Sequence, residues 1–224
     1  MNFLSHFYFD RHTPDPELVL GCVLPDLVKN ANKKWNIHPE KKPHLFGGSQ
    51  KLQSILIGWQ RHLDVDCYFH SSDFFLYHTQ AIRKTVAPIL EDSEVRPSFM
   101  AHISLELMLD SLLLDLKMID AFHFYDQLAK VERSSLAMFL ELNLITETAR
   151  FFKFFDQFLE VNYLHSYNQS DNMVYALNRI CMRIWNDPLN DEQKLQLSVV
   201  LLEYQKNLET CFIDIFNDLD RRIN

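Results

Sequence analysis

Two imidazoles and a carboxylate recur at four-residue spacing within Trp59–His70, where His62, Asp66 and His70 follow one another. At roughly 100° per residue, an α-helix stacks the three on one stripe. With Trp59 taken as zero, Leu52, Ile55, Leu56 and Leu63 fall within about 60° of it, and so do His62, Asp66 and His70. A carboxylate held between two imidazoles on an apolar face needs a partner that offsets its desolvation, and a metal ion is such a partner.

The pattern returns downstream, where His102, Glu106 and Asp110 again stand four apart. With His102 as zero, Leu105, Leu109, Leu113 and Leu116 lie within about 60°, with Glu106 inside that sector and Asp110 at its edge. One such case reads as a buried ion pair. Two in one small chain favour a metal centre shared between facing helices. His6 lies among Phe3, Leu4, Phe7 and Phe9, and Asp26 follows Pro25, which should end or kink its helix. The candidate metal ligands are therefore His6, Asp26, His62, Asp66, His102 and Glu106, with Asp66 and His70 as the candidate catalytic pair. The alternatives are a satisfied core histidine for His6 and a solvated turn for Asp26.

Imidazole and carboxylate ligands without thiolates suit Mn, Fe or Zn, and Mg where carboxylates dominate. The set exceeds what one tetrahedral zinc needs, which allows two metals, or one metal with further carboxylates orienting the imidazoles. Either arrangement acidifies water and clamps a phosphoryl oxygen, so metal-assisted phosphoester hydrolysis is the reaction class that follows. The chain has no glycine-rich phosphate loop, GxGxxG, GxSxG or HExxH. The rival is a non-catalytic helical binding protein whose His and acid pairs form hydrogen-bonded networks.

The elements that must position these groups read as helices. Four glycines and eight prolines in 224 residues, with 47% hydrophobic content, predict an all-α single-domain bundle over 1–224. Asp15 and Pro16 cap and open a helix running toward Leu27. Lys29–Gly48 is a basic, helix-poor loop with Lys33, Lys34, Lys41 and Lys42, either a lid or a mobile segment. A central helix follows from about Ser49 to Ser71–Asp73, then helices over Phe74–Leu90 and Phe99–Met118. Ser134–Leu159 reads as helical, its Phe151–Phe158 aromatic run packing core or, alternatively, lining a groove for an acyl or pantetheine-like chain. Two further helices cover 171–186 and 190–222, the second capped by Asn190 or Asp191, while His123 and His165 read as structural.

A net charge of −8 argues against non-specific binding to nucleic acid or an anionic membrane. Eighteen apolar residues never run together, and the four cysteines form no CxxC pair. A soluble, cytoplasmic protein with its cysteines in the core is the expectation.

Several segments, in order, resemble a known family: Met1–His6 (MNFLSH), Gly21–Lys29 (GCVLPDLVK), His62 with Asp66, and Thr85–Ile89 (TVAPI) leading into His102 and Glu106. Together they are similar to the bacterial acyl carrier protein phosphodiesterases over about the first half of the chain. The resemblance implies an HD-domain-like, all-α fold and manganese-dependent removal of 4′-phosphopantetheine from holo-acyl carrier protein. His6, Asp26, His62 and Asp66 match that pattern, whereas His70, His102 and Glu106 stand where the family has mostly aspartates. Acyl carrier protein, or else a nucleotide or other small phosphoester, is the implied partner, and a divalent metal (Mn, with Fe or Zn as alternatives) the implied cofactor. Lys33, Lys34, Lys41 and Lys42 of the loop, with Arg83 and Lys84, either supply a basic face for this acidic partner or are ordinary solvated surface charges.

Overall fold

A non-glycine residue in the left-handed region ends three of the helices, at Lys117, Leu144 and Asn162, and this sets element boundaries that sequence pattern leaves blurred. The computed structural model describes residues 1–168 and 170–223, and among these residues the secondary structure is helical, without strands. The elements are α1 (Phe3–Asp10), α2 (Pro16–Ala31), α3 (Gln50–Ser71), α4 (Asp73–Val86), α5 (Pro97–Asp115) and α6 (Ala121–Ala129). They continue with α7 (Arg133–Leu142), α8 (Thr148–Val161), α9 (Ser170–Cys181), α10 (Asp191–Leu208) and α11 (Phe212–Ile223). The all-α expectation holds. No helix among the described residues is long and apolar enough to cross a membrane.

Helix starts follow local chemistry. The Asp15 carboxylate accepts from the Glu17 and Leu18 amides ahead of α2, and Ser72 Oγ accepts from the Phe75 amide ahead of α4. Asn190 and Gln193 form a reciprocal capping box at α10. Helix ends depart from expectation. Pro25 sits inside α2, which continues to Ala31 because Val19–Leu24, Leu27 and Val28 are all buried and packing overrides the lost hydrogen bond. The helix expected over Ser134–Leu159 is two, α7 and α8: Leu144 takes φ 64° and the Ile145 amide reaches back 3.0 Å to the Leu140 carbonyl. Lys117, at φ 54°, closes α5 in the same way, with Met118 bonded to Leu113. The helix expected over 190–222 is likewise two, broken at Glu209–Cys211.

The chain divides into two compact units. One comprises His6–Asp66 and Ile119–Leu164, in which α2 packs on α6 and α8, and α7 on α8. Its core includes Phe7, Phe46, Phe124, Phe139, Phe151 and Phe155. The aromatic run of α8 therefore packs core through Phe151, Phe155 and Phe158, as the first of its two readings has it. The 29–48 segment is anchored: Phe46 is fully buried against Phe139, and the Trp59 Nε1 donates to Glu40 across 3.1 Å.

The other unit comprises Met1–Ser5, Cys67–Met118 and His165–Asn224, with α4 laid along α5 and with α9 and α10 packed beside them. Here Asp110 of α5 is fully buried, not at the edge of its apolar sector, and accepts from the amides of Leu4 (3.2 Å) and Ser5 (2.7 Å). A carboxylate from α5 thus caps the first turn of α1. Cys22 and Cys181 are buried, but Cys67 is exposed and Cys211 half-buried, so the cysteines are not uniformly core residues.

Candidate metal centres

α2 and α3 cross where two glycines meet. A Cβ on Gly21 would run into the Ile55 carbonyl and lie 2.8 Å from the Gly58 Cα, and a Cβ on Gly58 would strike the Leu18 carbonyl. This backbone contact brings α3 close enough for His62 Nδ1 to donate to the Cys22 carbonyl, across 2.8 Å. A carbonyl cannot donate in return, so the proton is on Nδ1, and in the neutral ring Nε2 keeps its lone pair. That nitrogen faces Asp66 Oδ2, one turn along α3, at 3.6 Å.

His6 of α1 completes the group. Its ring stacks on His62 with centroids 3.9 Å apart and planes 17° from parallel, and its Nε2 is 3.3 Å from Asp66 Oδ1. His6 is buried, its Nδ1 without a hydrogen-bond partner and its Nε2 with only the Asp66 contact. Burial first, then the neighbouring His62, lower its pKa to about 3, so the ring is neutral at pH 7. Burial works against ionisation of Asp66, but the contact with His6 outweighs it and holds the carboxyl below the usual carboxylate range. Neighbouring Asp10, which sequence pattern does not single out, is buried between Arg61 and the Cys22 thiol 3.0 Å away.

The second group lies in the other unit. His70 at the end of α3 and His102 of α5 meet Glu106 Oε1 at 3.2 and 3.0 Å, and their two Nε2 atoms are 3.2 Å apart. Burial disfavours the Glu106 carboxylate, yet the Met1 ammonium, 3.2 Å from the same oxygen, and the two histidines hold it ionised. His70 and His102 are partly exposed.

No family model matches the chain, and no curated protein or solved structure does.

The ligand geometry thus sorts the sequence candidates into two sets, His6–His62–Asp66 and His70–His102–Glu106, the offered atoms of each lying within 4.8 Å of one another. Of the proposed catalytic pair, Asp66 belongs to one set and His70 to the other. Asp26 joins neither. It lines a cavity of about 180 Å³ together with Lys29, Trp35, His38, Glu40 and Trp59. The stripe on α3 is also less uniformly inward than its spacing implies. Leu52, Ile55, Leu56, Trp59 and His62 are buried, whereas Leu63 is 38% exposed and Asp66 and His70 are half-buried. Just past α5, Leu116 is exposed instead of core.

The first set fits a divalent cation on chemical grounds. It offers two nitrogens and a carboxylate, one imidazole fixed in its tautomer by a backbone carbonyl and the other turning Nε2 toward the same carboxylate. Three protein ligands would leave coordination positions open on a bound cation.

Proposed function

We propose that this chain is a metal-dependent phosphodiester hydrolase. The observation that carries the reading is the buried His6 ring, its Nε2 3.3 Å from Asp66 Oδ1, stacked on a His62 whose Nε2 faces the same carboxylate. Two buried imidazoles converging on one carboxylate, with one ring nitrogen left without a partner, cost stability unless a ligand uses them. His6, His62 and Asp66 would hold the cation, Mn first and Fe or Zn as alternatives. Bound there, a divalent ion acidifies water and neutralises charge on a phosphoryl oxygen.

The chain's own groups supply the rest. The Cys22 carbonyl holds the His62 ring in place, so the ligand set is oriented before any ligand arrives. The cavity between α2 and α3, with the Lys29 ammonium and the Trp35 and Trp59 indoles on its walls, offers a cation for a phosphate and apolar faces for what the phosphate carries. In keeping with the resemblance of its first half, the first substrate to test is the 4′-phosphopantetheine of acyl carrier protein, and the second a small phosphoester. Lys33, Lys34, Lys41 and Lys42 are exposed on the segment that frames this cavity.

Protein purified without chelator should hydrolyse bis-p-nitrophenyl phosphate in a reaction abolished by chelation and restored by Mn. His62→Ala should lower kcat at least 100-fold while leaving the helical circular dichroism intact. Holo-acyl carrier protein should lose its prosthetic arm by mass in the same assay. Absence of any chelator-sensitive hydrolysis at high enzyme concentration overturns the reading in favour of a non-catalytic binding protein. Loss of hydrolysis only with the carrier removes that substrate alone.

A further inference from the structure

We propose that His70, His102 and Glu106 form a second site for a divalent transition-metal cation, with ligands distinct from those of the His6 group. This inference does not depend on the hydrolase reading. Its basis is a triangle of atoms, His70 Nε2, His102 Nε2 and Glu106 Oε1, whose edges are 3.2, 3.2 and 3.0 Å.

No assignment of protons satisfies all three edges. With one Nε2–H, the other imidazole turns a lone pair toward a lone pair at hydrogen-bonding distance. With two, both N–H groups crowd the same oxygen and lie side by side. A cation facing the three atoms takes one lone pair from each. Ligand atoms at neighbouring corners of a coordination shell with bonds of about 2.0–2.2 Å are roughly 3.0–3.4 Å apart, which is the spacing seen here. Two imidazoles and one carboxylate on one face, with the other positions open, form a ligand set for Fe, Mn, Co or Zn rather than for Mg or Ca.

The rings are held for the purpose. Phe75 of α4 stands edge-on to both, its centroid 4.9 Å from that of His70 and 5.0 Å from that of His102. Ser72, capping α4, fixes the turn from which Phe75 projects. Partial exposure of both histidines gives a cation a way in.

The test is equilibrium dialysis of chelator-stripped, full-length protein against Mn²⁺, Co²⁺ or Zn²⁺, followed by elemental analysis. The wild type, His102→Ala, Glu106→Gln and His62→Ala are compared, with thermal melts to establish folding. The wild type should bind two equivalents, and His102→Ala and Glu106→Gln one, with affinity for the lost ion down at least tenfold. Unchanged stoichiometry in both His102→Ala and Glu106→Gln overturns the second site. The arms separate the two readings: an equivalent lost only in His62→Ala leaves the hydrolase's metal and removes this one, and an equivalent lost only in His102→Ala and Glu106→Gln does the reverse.

Discussion

At the scale of single residues, the chemistry turns on how a buried imidazole is kept neutral. The His6 pKa falls from 6.5 unfolded to about 3 folded, chiefly by burial. In the metal-free protein its contribution to stability is therefore complete above pH 6.5. It is lost as pH falls from 6.5 toward 3, where the unfolded chain takes up a proton that the folded chain refuses. Asp66, held below its usual range, adds loss in the same direction below about pH 4. Urea denaturation of chelator-stripped protein should show stability falling by about 1 kcal/mol per pH unit between pH 6 and 4 from His6 alone. His6→Phe, which keeps a ring against His62, should flatten that slope by about one proton. An unaltered slope in this variant would show His6 to be protonated in the fold.

At the scale of elements, two contacts position the candidate ligands, and each can be removed singly. Gly58 lets α3 approach α2 until His62 reaches the Cys22 carbonyl. Gly58→Ala places a methyl against the Leu18 carbonyl and should cost about 2–3 kcal/mol, measured by urea midpoint, because backbone rather than a flexible side chain must move. Asp110 satisfies the Leu4 and Ser5 amides at the start of the helix that carries His6. Asp110→Ala should destabilise by roughly 2–3 kcal/mol, since it orphans buried donors. Asp110→Asn, which keeps an acceptor, should recover part of that. Equal losses in the two variants would mean that the amides find other partners.

At the scale of the whole molecule, a charge of −8 sets the terms of any encounter with an acidic carrier protein. The exposed Lys33, Lys34, Lys41 and Lys42 are the local exception. If the proposed carrier substrate holds, reversing all four to Glu should raise KM for holo-carrier about tenfold and invert its dependence on salt. A KM that does not change would locate the docking face elsewhere. Much of this architecture was legible in the chain. The shortage of glycine and proline excluded sheets, and Asp15, Pro16 and Asn190 marked helix starts because a cap is local chemistry. The four-residue spacings found five of the six ligand atoms' owners for the same reason, a helix face being fixed by sequence alone, and His6 came from its apolar surroundings. Leu144 and Lys117 hid two helix ends because neither is the glycine that normally takes a left-handed turn. Partnership was decided by packing. Asp26 lines a cavity, His70 joins His102 instead of His62, and Asp110 caps α1, since these distances depend on how helices cross, which for α2 and α3 is set by two glycines 37 residues apart in sequence.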